Sequence, residues 1–135
     1  MSYTISKIEG IGPKYAARLK KAGINTTTRL LERGCDPKGR KSVADESGIE
    51  ETLILKWTNM ADLMRIRGVG EEYSELLEAA GVDTVKELRR RNATNLHQAM
   101  VEANGNRRLV RVLPSPNRVY QWVEQAKNLP PLLTY

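Results

Sequence analysis

Along most of the chain, apolar residues return every three or four positions with polar side chains between them, the period of helices that bury one face. Between residues 13 and 22 the recurring positions are Tyr15, Ala16, Leu19 and Ala22. Pro13 stands at a first-turn position and Gly23 at the stop, so both ends of this helix are marked. Thr84-Val-Lys-Glu87 reads as a capping box opening a helix through about Arg91, and Thr26 opens a weaker counterpart in which Arg29 takes the place of the reciprocal Glu. Asp36, just before Pro37, and Thr94 are good N-caps for the helices that follow. Ile49, Leu53, Trp57 and Met60 line one face of a longer helix, and Val119, Trp122, Val123 and Ala126 do the same after Pro116. Only "RLVRVL", 108 to 113, has an extended pattern. The predicted fold class is all-α.

The pattern is also written twice. "IEGIGPKYAARLKKAGINT" (8–26) returns as "IRGVGEEYSELLEAAGVDT" (66–84), 58 positions later. Trp57 and Trp122 are 65 apart, so the second copy carries seven extra residues, which fall within "NGNRRLVRVLP", 104 to 114. The expected organisation is two tandem repeats, 1–61 and 62–135, the second with a basic insertion near 104–114. A unit of some 60 residues buries little surface alone, so the two are expected to stack into one compact unit.

Composition narrows the chemistry. The 40% apolar and 28% charged content belongs to an ordinary globular chain. No window approaches the roughly 18 apolar residues of a membrane span, and "MSYTISKIEG" lacks a signal-like block, so the expected location is cytoplasmic, with no membrane partner. With Cys35 and His97 as the only residues of their kinds, no internal disulfide, metal site or other cofactor is expected. A net charge of +6 permits nucleic-acid binding, and the first half carries more of it.

Two Gly-apolar-Gly triplets, Gly10-Ile11-Gly12 and Gly68-Val69-Gly70, hold the most specific chemistry. Between two short helices such a triplet turns the backbone tightly, with positive φ expected at the glycines and the middle side chain plugging the gap. The turn presents backbone N–H groups at the start of the next helix, a socket for an anion that reads no base. "IEGIGPKYAARL" and "IRGVGEEYSELL" resemble the helix-hairpin-helix motif at nearly every position, including the small residues Ala16 and Ser74. That resemblance implies sequence-independent contact with the DNA backbone, by hairpins that commonly occur in pairs. The whole chain is similar to a bacterial domain-of-unknown-function family built of such tandem units, a likeness that brings no activity with it.

The two hairpins differ in charge. Lys14, Arg18, Lys20 and Lys21 follow the first, whereas Glu71, Glu72, Glu75 and Glu78 follow the second and occupy the place an anionic ligand would take. The expected nucleic-acid-binding residues are Gly10, Ile11, Gly12, Lys14, Arg18 and Lys21, joined by Arg107, Arg108 and Arg111 of the insertion. Lys38, Arg40 and Lys41 read as a solvated face, and Arg89, Arg90 and Arg91 as cations at a helix C-terminus. Trp57, Trp122, Tyr15 and Tyr73 read as core. Some helix-hairpin-helix DNA glycosylases carry a Schiff-base lysine where Lys14 stands, but the helix that follows offers Glu32 and no aspartate, so no enzyme is expected. The favoured role is non-enzymatic binding of double-stranded DNA by a monomer. The alternative is a protein-protein adaptor that presents the acidic surface of the second repeat to a basic protein partner.

Overall fold

Helix boundaries follow from where the chain supplies caps. The computed structural model describes residues 2–135, and among them the fold is all-helical, with eight α-helices and no named strand. They are α1 (Pro13–Lys21), α2 (Thr27–Gly34), α3 (Pro37–Ser47), α4 (Glu51–Leu63), α5 (Glu71–Ala79), α6 (Val85–Leu88), α7 (Ala93–Arg107) and α8 (Pro116–Lys127), preceded by one 3-10 turn, Ile5–Lys7. Thr26, Asp36, Thr84, Asn92 and Ser115 each accept the N–H three residues on, at 3.1, 2.7, 3.2, 3.0 and 3.2 Å. Each such cap contributes about 1 kcal/mol.

Three expectations need correction. The cap before α7 is Asn92, so Thr94 lies inside the helix. α6 ends at Leu88 and does not reach Arg91, because tight i→i−3 bonds from Arg90 and Arg91 turn the chain towards that cap. Residues 108–113 are not extended as a strand, and 104–107 are the last turn of α7. Arg108 closes that helix in the left-handed region at φ 49°, and the Asn104 side chain then binds both the N–H (2.9 Å) and the C=O (3.2 Å) of Val110. A side chain thus satisfies the backbone groups that a neighbouring strand would have taken.

The core has two apolar clusters that part at Leu63 and Met64. One gathers Ile5, Ile8, Ile11, Leu19, Leu30, Trp57 and Met60, and the other Ile66, Val69, Leu77, Leu96, Val119 and Trp122. α4 serves both, giving Trp57 and Met60 to the first and Leu63 to the second. Beside Leu63 the buried Asp62 carboxylate accepts the Val85 N–H at the start of α6 (2.8 Å) and the Arg65 Nε–H (2.9 Å). Burial pushes this carboxyl above its ordinary value, opposed by those two partners.

After α8, residues 128–135 return to the first cluster as an irregular strap. Arg65 donates to the Pro130 carbonyl (2.9 Å), the Thr134 N–H donates to Cys35 O (2.8 Å), and Leu133 packs on the first cluster while Leu129 packs on the second. The Tyr135 hydroxyl reaches Asn59 Oδ1 at 3.2 Å. Arg40 holds this strap. Its guanidinium, on a residue only 5% exposed, donates to Gly34 O and Thr134 O, each at 2.8 Å, so Arg40 does not belong to a solvated face. No helix is long and apolar enough among the described residues to cross a membrane.

Candidate functional site

The first Gly-apolar-Gly turn is built from one constrained and one unconstrained glycine. Gly10 has φ +94°, a backbone that favours glycine, and the Trp57 indole lies 3.5 Å from where a Cβ would sit. Gly12 has an ordinary φ of −85°, contrary to the expectation of positive φ at both glycines, and a Cβ there would meet nothing within 4 Å. The difference arises because Gly12 is the N-cap of α1, a position that takes extended backbone. Ile11 is buried, its N–H already bonded to Ile8 O (3.1 Å), so it plugs the turn and offers no donor to a ligand. Only the single 3-10 turn precedes this hairpin, in place of a short α-helix.

No side chain caps α1, and Pro13 at its first position has no N–H to give. Lys14, Arg18 and Lys21 follow at i, i+4 and i+7, one stripe along the helix. All three are exposed and none forms an ion pair among the described residues. The opposite face carries Leu19 and Ala22 into the core, and Tyr15 sets its ring edge-on to Trp57 with centroids 5.0 Å apart.

The second turn has the same backbone and different surroundings. Gly68 has φ +91° and Gly70 is an N-cap with φ −101° and no side-chain cap. Glu71 and Glu72 occupy the first turn of α5. Glu75 has its carboxyl pushed up by partial burial and by the charge of Glu9, while Arg107 and Lys56 pull it down. Arg107 therefore faces an acidic neighbour. Tyr73 tilts against Trp122 at 5.3 Å, and its hydroxyl donates to Val112 O (2.8 Å), which ties the 108–114 segment to this second turn. Arg108 and Arg111 are exposed on that segment.

Thus Gly10, Gly12 and Lys14 lie at one turn, with Arg18 and Lys21 in the last turn of the helix that leaves it, whereas the segment carrying Arg111 is fastened beside the other. Sequence reasoning passed over Arg118, whose guanidinium lies 5.3 Å from the Tyr73 ring centroid and 5.5 Å from that of Trp122. It stands four residues before Trp122, where Leu53 stands before Trp57, and that break in the repeated pattern was the available signal. Among the described residues no three His, Cys, Asp or Glu side chains gather into a metal-holding group. A partly open apolar cavity of about 430 Å3 lies under the strap, lined by Leu31, Cys35, Ala61, Leu129 and Leu132.

The family described as "Domain of unknown function (DUF4332)" matches residues 9–129, and the chain belongs to it. No curated protein and no solved structure matches the chain.

Proposed function

We propose that this member of the family is a non-enzymatic, sequence-independent binder of the DNA backbone, built as two tandem helix-hairpin-helix units, with the first hairpin as its main contact. The tandem reading rests on paired details. Tyr15–Trp57 and Tyr73–Trp122 pair at similar centroid distances, 5.0 and 5.3 Å, Gly10 and Gly68 share a φ near +90°, and Arg33 and Arg91 reach back to Ala22 O (2.9 Å) and Gly81 O (3.3 Å) at the ends of α1 and α5.

The observation that carries the binding reading is Gly12. Neither its φ nor its packing requires glycine, yet it sits exposed at a helix N-terminus that no side chain caps, beside Lys14 and at the head of a stripe of cations, continued by Arg18 and Lys21, that form no ion pair among the described residues. A glycine there lets a phosphate oxygen approach the main-chain donors, and the dipole of α1 adds to the attraction. Main-chain donors carry no base code, so the expected binding is indifferent to sequence.

Anisotropy titration of a labelled mixed-sequence duplex, at several salt concentrations, tests this. Lys14→Glu should weaken binding roughly tenfold or more, while Lys86→Glu, the same reversal on α6, should cost about two- to threefold through overall charge alone. Gly12→Ala should also weaken binding while lowering stability by no more than about 1 kcal/mol, the cost of a poorer cap. Equal losses for Lys14→Glu and Lys86→Glu would reduce the effect to net charge. A wild-type protein that leaves the duplex free at low salt would favour the adaptor.

A further inference from the structure

Glu71 and Glu72 leave the second hairpin poorly suited to hold a phosphate by its main chain, but the molecule supplies it with cations of another kind. Arg118 projects from the first turn of α8 onto Tyr73 and Trp122, with ring centroids 5.3 and 5.5 Å from its guanidinium carbon. Nη2 lies 3.5 Å from the Gly68 carbonyl, and a Cβ on Gly68 would stand 3.1 Å from that same nitrogen. Gly68 thus leaves room for the arginine as well as for its own backbone.

The residue is exposed, and it forms no ion pair among the described residues although two carboxylates begin the adjacent helix. A guanidinium stacked on two rings is held in place with most of its N–H groups free, which lowers the entropy it loses on binding. Two further cations border the place. The Tyr73–Val112 hydrogen bond anchors the chain next to Arg111, and the exposed Lys7 lines, together with Glu71 and Glu72, a cleft of about 370 Å3 at Gly68 and Gly70.

We infer that the second hairpin is a second phosphate-contact point for the DNA backbone, one that works through side chains, with the stacked Arg118 as its centre and Arg111 and Lys7 at its border. This rests on the DNA-backbone reading above and extends it. The first hairpin offers main-chain donors and a lysine-rich stripe, whereas the second offers an arginine fork. The aromatic pair common to both hairpins doubles, in the second, as the platform for that arginine.

The test uses the full chain with the same duplex and salt series, and a thermal melt of each variant. Arg118→Gln should weaken binding about three- to tenfold and lower the slope of log K against log salt by about 1. Arg118→Lys keeps the charge and loses the planar fork, so it should recover the slope and only part of the affinity. Arg111→Gln removes a side chain with no hydrogen bond or ion pair among the described residues, so it should leave the melt unchanged and lower the slope again, which keeps the test clear of any misfolding of Arg118→Gln. Unchanged affinity and slope in both glutamine variants, with Lys14→Glu still damaging, would overturn the second contact and leave the first standing. Failure of the wild-type chain to bind the duplex would overturn both.

Discussion

At the scale of single residues, the two glycines of the first turn separate folding from binding. Gly10 answers to the backbone, since a side chain at φ +94° costs roughly 1–3 kcal/mol, while Gly12 answers inside the molecule only to its place as the N-cap of α1. Asp62 shows the opposite case, a charged group held wholly by internal demands. Burial raises its carboxyl above the ordinary value of 3.8, Asp83 adds a smaller upward push, and the Val85 N–H and Arg65 pull it down. Between 3.8 and the raised folded value the native state binds the proton more tightly than the unfolded chain. The stability from this residue therefore grows as pH falls through the folded value and levels off below the unfolded one. Thermal melts of wild type and Asp62→Asn should thus show the wild type gaining relative to the variant as pH falls from neutrality towards the ordinary value of 3.8. A difference constant across that range would mean that the carboxyl titrates alike in both states.

At the scale of elements, the strap of residues 128–135 joins the two clusters without regular structure of its own. Deleting residues 130–135 removes Thr134 O, one of the two carbonyls that Arg40 holds, and the Leu133 contact. Such a deletion leaves a buried guanidinium with one carbonyl fewer, a loss of about 1–3 kcal/mol. Hydrogen exchange should speed up in α2 and α3 and stay slow in α7 and α8, and uniform acceleration along the chain would show that the strap supports both clusters equally. The helices around it were legible in sequence because their signals are local: Pro13, Asp36-Pro37 and Pro116 mark starts, and the Trp57 and Trp122 faces keep helical spacing. The strap was not legible, since "NLPPLLTY" has no period and its partners Cys35 and Arg40 lie far back in the chain. Arg40 looked solvated for the same reason. The seven extra residues assume a fixed offset of 58, but α6 is four residues shorter than α2 and the spacer after it two residues longer, so the offset is already 56 at Asn92. Nine residues therefore separate the later register of 65, shared between a longer α7 and the 108–115 connector. At the candidate site, the lysine stripe could be read from spacing, whereas the stacking of Arg118 needed the fold that brings α8 against Tyr73.

At the scale of the whole molecule, α4, Asp62 and the strap each bind one cluster to the other, which argues for a single cooperative unit. Trp57 and Trp122 report on different clusters, so Trp57→Phe and Trp122→Phe variants give one optical probe for each. In urea, fluorescence and far-ultraviolet circular dichroism should trace one midpoint within each variant. Two separated transitions would mean that the halves unfold independently. The strap also has a consequence in time. Arg40 waits for Thr134, 94 residues further along. At roughly 5–20 residues per second, a ribosome needs about 5–20 seconds to make that stretch. Through that interval the nascent first half holds a guanidinium whose second partner does not yet exist, so its final locking is expected only after the second half has been synthesised.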